Sequence, residues 1–222
     1  MTPAPGAGHS AIAEPPFDCR ECPRLVEFRL ASVQREPSWF NGAVPSFGPS
    51  DARLLIVGLA PGLKGANRTG RPFTGDYAGE LLYSTLLSFG FAEGTYDGRP
   101  DDGLTLRDCM ITNAVRCVPP ENKPTPEETK TCRRFLVARI ASLQKVQVIL
   151  ALGRVAHEQT IAALERKQSA HPFAHGARHD LGHSRVMFDS FHCSRYNTNT
   201  RRLTPAMFHA VFTSIRAQLG SS

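Results

Sequence analysis

Leu54-Leu55-Ile56-Val57 runs directly into Gly58-Leu59-Ala60-Pro61-Gly62-Leu63-Lys64-Gly65-Ala66-Asn67-Arg68-Thr69-Gly70-Arg71-Pro72-Phe73-Thr74-Gly75-Asp76, and a helical pattern follows over residues 78–88. A short apolar run closed by glycine reads as a strand buried on both faces, and the helix after it makes the run the first strand of a parallel α/β sheet. Further strand candidates lie at 110–115, 146–152 and 186–191, with helical patterns between them. The chain is therefore expected to form a three-layer α/β/α fold around a central, mainly parallel four-stranded sheet. Thr125-Pro126-Glu127-Glu128 supplies a cap, a proline at the first helical position and a capping-box acid, and Thr204-Pro205 opens a C-terminal helix in the same way. An earlier helix is expected through Val26, Leu30 and Val33, ending near Pro37.

At 222 residues and 41% hydrophobic content, one substantial core is affordable, so residues 17–222 are read as a single domain. Residues 1–16, rich in Pro, Ala and Gly, are read as a flexible N-terminal tail. Lys and Arg outnumber Asp and Glu by 26 to 20, a net charge of +6 that suits a polyanionic partner without requiring one. No apolar run is long enough for a membrane span and no secretory signal opens the chain, so a cytoplasmic protein is expected.

In a reducing compartment the six cysteines are better read as thiols or metal ligands than as disulfides. Cys19 and Cys22 form a short-gap pair, and Cys117 and Cys132 can close a four-thiolate set. Four such ligands fit zinc or an iron–sulfur cluster; the wide second gap suits a cluster held between a loop and a helix. Cys109 opens an apolar strand and reads as inert. Cys193 adjoins His192, but neighbouring strand residues face opposite ways, which argues against a nucleophile–base pair.

In an open parallel sheet, ligands collect beyond the carboxyl ends of the strands, where the loops after Val57, Val115 and Phe191 converge. The first loop lacks the Lys-Ser/Thr of a P-loop and the glycine spacing of a dinucleotide fingerprint. It offers instead a backbone that a ligand can approach closely, with Phe73 for stacking and Asp76 for water or a cation; the plainer roles are a core Phe73 and an Asp76 helix cap. Asn113 can match the edge of a nucleobase with one amide. The segment Phe191-His192-Cys193-Ser194-Arg195-Tyr196-Asn197-Thr198-Asn199-Thr200-Arg201-Arg202 suits phosphate contacts and insertion into a nucleic acid, although Arg201 and Arg202 alone read as a solvated basic turn.

Taken together, these blocks resemble the uracil-DNA glycosylase superfamily, most closely its iron–sulfur branch of broad-specificity, family-5-type enzymes. The resemblance covers roughly Asp18 to Phe212. It rests on Gly-Leu-Ala-Pro-Gly, Asn-Arg-Thr-Gly-Arg-Pro-Phe-Thr-Gly-Asp, the four spaced cysteines, Arg-Cys-x-Pro-Pro-x-Asn-Lys-Pro-Thr-Pro-Glu-Glu, and His-x-Ser-Arg-x-Asn-Thr. It implies a monomeric DNA-repair hydrolase, working on the nucleoid, that removes uracil or another deaminated base such as hypoxanthine from DNA. The alternative is a catalytically silent iron–sulfur protein that binds DNA and senses damage. The resemblance further implies a [4Fe–4S] cluster on Cys19, Cys22, Cys117 and Cys132, with zinc as the lesser alternative, and catalytic roles for Asp76, Asn122 and His192. The base would meet Gly58, Leu59, Ala60, Gly62, Phe73 and Asn113, and the DNA backbone Arg68, Ser194, Arg195, Asn197, Arg201 and Arg202. Two positions depart from related branches: Leu59 is apolar where some carry a water-activating group, and Cys193 replaces a proline.

Overall fold

The structure, a computed structural model, describes residues 14–220. Of the expected tail, residues 1–13 lie outside the described residues, while Glu14 is within them and its carboxylate pairs with Arg116 and Arg139. The strands are β1 (Leu54–Gly58), β2 (Ala92–Glu93), β3 (Thr105–Leu106), β4 (Cys109–Asn113), β5 (Val148–Leu152), β6 (Arg178–Gly182) and β7 (Arg185–Ser190). The helices are α1 (Pro23–Arg35), α2 (Ala66–Thr69), α3 (Tyr77–Ser88), α4 (Pro126–Ser142), α5 (Arg154–Ala163), α6 (Arg195–Asn199) and α7 (Pro205–Gly220). Among these helices none is long and apolar enough to cross a membrane.

The main sheet has the order β4-β1-β5-β7-β6, with β4, β1, β5 and β7 parallel and β6 antiparallel at one edge. Every residue of β1 is buried, as its unbroken apolar run requires when helices cover both faces. Its side chains divide by parity. Leu54 and Ile56 join Leu82 and Leu86 of α3 and Phe208 and Phe212 of α7, whereas Leu55 and Val57 join Leu136 and Ile140 of α4 and Ile161 of α5. The three layers match the expectation, but the sheet has five strands rather than four. Strand β6 escapes a reading by apolar runs because Arg-His-Asp-Leu-Gly alternates, with only His179 and Leu181 buried. Its hairpin to β7 turns at His183 and Ser184, both left-handed (φ 52° and 59°), the geometry that matches strand twist.

Helix α4 starts as its sequence dictates: Thr125 accepts from the Glu128 amide and the Glu128 side chain accepts from the Thr125 amide. Helix α1 forms where expected but presents a different face. Leu25, Arg29 and Ser32 are buried, while Leu30 and Val33 are 56% and 41% exposed. The reason is polar: Arg29 turns inward to donate to the Cys19 carbonyl at 3.0 Å and to Cys117 Sγ at 3.6 Å.

The order β4-β1-β5 reverses the winding of the strand order beside β1, and ligands bind at the carboxyl ends of strands at such a point. Gly58 pairs with Asn113 there, and the end of β7 lies two strands away.

Candidate active site

A cavity of about 670 Å³ opens beyond the carboxyl ends of β1 and β4. It gathers Leu59, Ala60, Gly62, Phe73, Asp76, Asn113, Asn122, His192, Ser194 and Arg195, all singled out from sequence. Its size is that of a small-molecule site.

The floor depends on an absent side chain. A Cβ on Gly58 would lie 2.4 Å from Asn113 Oδ1 and 2.6 Å from Phe73 Cζ, so the glycine is what lets both groups reach the cavity. Asn113 is buried, and its Oδ1 has no hydrogen-bond partner among the described residues. An orphaned carbonyl of this kind costs about 1–3 kcal/mol until something donates to it.

Phe73 has φ 54°, a left-handed backbone that is unfavourable for a bulky residue by about 1–2 kcal/mol. A buried frame holds it there. Tyr83 donates to the Pro72 carbonyl at 2.6 Å and Tyr96 to the Phe73 carbonyl at 3.2 Å. Arg71 donates through two nitrogens to Asp102 at 2.8 and 2.7 Å and through Nε to Thr74 Oγ1 at 2.7 Å. Burial alone would raise the Asp102 carboxyl, but Arg71 and the Leu104 and Asp97 amides hold it down to about 2. Phe73 thus belongs to the core and to the cavity wall at once.

Asp76 has a similar double position. One oxygen accepts from the Gly79 amide at 3.2 Å and caps α3, and the other faces Gly62 and Gly65, where a Cβ would come to 3.0 and 2.4 Å. Desolvation raises its carboxyl above the usual range, and the amides of Gly79 and Ala78 oppose that rise. Its N-cap role therefore coexists with an oxygen aimed at the cavity.

His192 faces Phe73 across the opening, ring centroids 5.8 Å apart and 27° from parallel. Burial lowers its imidazole to about 4, so the ring is neutral at pH 7. Cys193 points instead into the main core, and its desolvated thiol is pushed up; the two side chains diverge, although both lie beyond the end of β7 and not in the strand expected to separate them. Asn122 sits at the rim in a tight turn, left-handed like Glu121 before it (φ 57° and 55°).

The basic residues divide. Arg195 borders the cavity and lies over the Tyr77 ring at 5.2 Å, while Ser194 caps α6. Asn197 donates to the His192 carbonyl at 2.8 Å, Arg202 lies over Phe191 at 4.6 Å, and Arg201 has the left-handed φ of 58°. Arg68 lies outside the cavity, in a separate groove with Ser38 and Arg99. Sequence reading passed over Leu63, Lys64 and Tyr77, which line the cavity, and Tyr196, which is 71% exposed beside it. A large aromatic between two residues already assigned to the site was the available signal for Tyr196.

Cys19, Cys22, Cys117 and Cys132 border one small apolar cavity between α1, α4 and the chain after β4. All four are free thiols, and burial pushes Cys117 up to about 11 and Cys132 up to about 12. Four neighbouring thiols in apolar surroundings ionise together only when a cation neutralises them, and metal ligation requires thiolates. Four thiols around one cavity, three of them buried, are compatible with a cluster. Arg24 ties α1 to α4 with paired 2.8 Å contacts to Glu128.

Residues 45–216 match the uracil DNA glycosylase superfamily. The chain belongs to that superfamily, in its type-5 branch. It is 46% identical to the type-5 uracil-DNA glycosylase of Thermus thermophilus, over 91% of this chain and 94% of that protein. It is 39% identical to the type-5 enzyme of Mycobacterium tuberculosis, over 91% and 78% respectively. A type-4 uracil-DNA glycosylase of Archaeoglobus fulgidus is 38% identical over only 51% of this chain.

Proposed function

We propose that the protein is a monofunctional DNA glycosylase that flips uracil out of DNA and hydrolyses its N-glycosidic bond, leaving an abasic site. The observation that carries this reading is the buried, unpartnered Asn113 carbonyl on the cavity floor. It calls for an N–H donor, and its own amide N–H₂ calls for an acceptor beside it. Uracil presents that pair, an imide N–H next to a carbonyl, and so does hypoxanthine, which extends the substrate class to other deaminated bases. The type-5 names of the relatives agree with it.

Extrusion of the base costs roughly a few kcal/mol. Stacking on Phe73 returns about 1–3 kcal/mol. Tyr196, exposed at the lip, fills the gap left in the duplex, while Lys64, Arg195, Arg201 and Arg202 meet phosphates. As the glycosidic bond breaks, negative charge gathers on the base and positive charge on the sugar. Neutral His192 donates its N–H to the base oxygen, Asp76 faces the cationic sugar, and Asn122 at the rim orients water. Leu59 keeps the adjoining wall apolar. Cys19, Cys22, Cys117 and Cys132 would hold a [4Fe–4S] cluster that ties the N-terminal segment to α4; iron content and a brown colour, against zinc, test this. The protein acts as a monomer on the cytoplasmic nucleoid, with residues 17–222 as one domain.

The test is single-turnover release of uracil from duplex DNA, read by alkaline cleavage at the abasic site. His192→Ala and Asp76→Ala should each lose about 10²–10³-fold, the usual effect of removing one group that stabilises transition-state charge. Full rates in both variants, or wild-type binding of uracil-containing DNA without base release, would overturn the reading.

A further inference from the structure

The chain passes from β7 through Phe191 to His192, and side chains or amides hold the backbone at each step. The Ser190 carbonyl accepts from the Gly153 amide at 2.8 Å, and the His192 carbonyl accepts from Asn197 Nδ2 at 2.8 Å. Between them the Phe191 amide donates to His175 Nδ1 at 3.2 Å. The His175 ring also stacks on Phe191, centroids 5.1 Å apart and 17° from parallel. His175 lies outside the cavity that holds His192.

A deeper group lies behind His175. Asp189 is fully buried, with His157 Nδ1 and His179 Nε2 each 2.8 Å from one of its oxygens and His157 Nε2 2.8 Å from the His171 carbonyl. These ligand atoms lie within 4.8 Å of one another, the span of a metal site. A metal about 2.0 Å from each ligand would spread nitrogen and oxygen to about 3.3 Å. Contacts of 2.8 Å are instead hydrogen-bond lengths, so protons close this group and it anchors the end of β7.

We propose that His175 is a positioning residue for His192. Its Nδ1 fixes the peptide that leads into His192, so the imidazole of His192 stands opposite Phe73 in one orientation. Only the neutral ring with its proton on Nε2 can do this, because an N–H at Nδ1 would meet the Phe191 N–H head-on. The inference rests on His192 acting on the base as proposed above.

Four proteins separate the possibilities: wild type, His175→Phe, His175→Asn and His192→Ala, with His175→Leu in reserve if the Phe variant does not fold. Phe keeps the stacking and lacks the acceptor; Asn carries an oxygen close to the position of Nδ1. The single-turnover rate of His175→Phe should fall about 10–100-fold, as displacement of a reacting group by about 1 Å does. Its affinity for uracil-containing duplex, by fluorescence anisotropy, should stay within about twofold, and His175→Asn should recover most of the rate. A wild-type rate in His175→Phe, or His175→Asn as slow as His175→Phe, would overturn the inference. If His192→Ala keeps the full rate, the role of His192 itself fails. If His192→Ala is slow and His175→Phe is fast, only the positioning role fails.

Discussion

The base cavity and the cysteine corner grow from the same strand, since β4 delivers Asn113 to one and, four residues later, Cys117 to the other, but they treat polar atoms in opposite ways. In the cavity, Asn113 Oδ1 is orphaned, Phe73 is held left-handed and the His192 imidazole is held neutral by desolvation. In the corner, partners are supplied from within: Arg29 reaches Cys19 and Cys117, Arg24 clasps Glu128, and buried Arg116 meets the Val44 carbonyl, Ser46, Thr112 and Glu14. The cavity leaves polar atoms open to a visitor, whereas the corner closes its polar side chains around the four thiols.

The largest effect that tests this contrast is expected in the corner. If the corner holds the metal proposed for it, Cys132→Ser should abolish metal binding and lower the thermal midpoint by about 10–20 °C, because loss of a structural metal removes several kcal/mol and each shifts a chain of this size about 2–4 °C. Elemental analysis with calorimetry checks it, and an unchanged midpoint would make the corner dispensable. Next is the frame beneath Phe73. Asp102→Asn leaves Arg71 buried without its counter-charge and should cost about 3–5 kcal/mol in denaturant unfolding.

Acid probes the cavity and its frame with a definite sign. The folded pKa of Asp102, about 2, is below that of a free carboxyl, so its contribution is complete above about pH 4 and is lost as pH falls through 2. His192, at about 4 when folded, refuses a proton that the unfolded chain accepts below about 6.5, so stability also declines between pH 6.5 and 4. Denaturant midpoints measured from pH 8 to below 2 should fall in those two windows.

A smaller effect, confined to the cavity, is expected from Gly58→Ala. Its Cβ would strike Asn113 and Phe73, so kcat/KM should drop about 100-fold for a cost of about 1–3 kcal/mol in stability. The smallest is expected on α1, where Leu30→Lys and Val33→Lys should change unfolding free energy by no more than about 0.5 kcal/mol. A larger loss would restore the face inferred from sequence.

That last case marks where sequence stops being enough. The apolar run of β1, the Thr125–Glu128 cap and the Gly58–Asp76 loop are legible because neighbours in the chain determine them. So were most of the residues that line the cavity, each at or beyond the end of a readable strand in the loops that follow. The face of α1 was not, because Arg29 is drawn inward by Cys117, 88 positions away, and apolar periodicity carries no trace of such a bond. Strand β6 and the Asp189 group were missed for a related reason: their burial is secured by histidine–carboxylate pairing, which a search for apolar runs does not see.

The Arg24–Glu128 clasp joins positions 104 apart. At about 5–20 residues per second, a ribosome needs about 5–20 s to travel from one to the other. For most of that interval Cys19 and Cys22 exist without Cys117, and for all of it without Cys132. The N-terminal thiols therefore pass through a stage of synthesis in which only the reducing power of the cell guards them, and assembly of the corner is timed by the birth of α4.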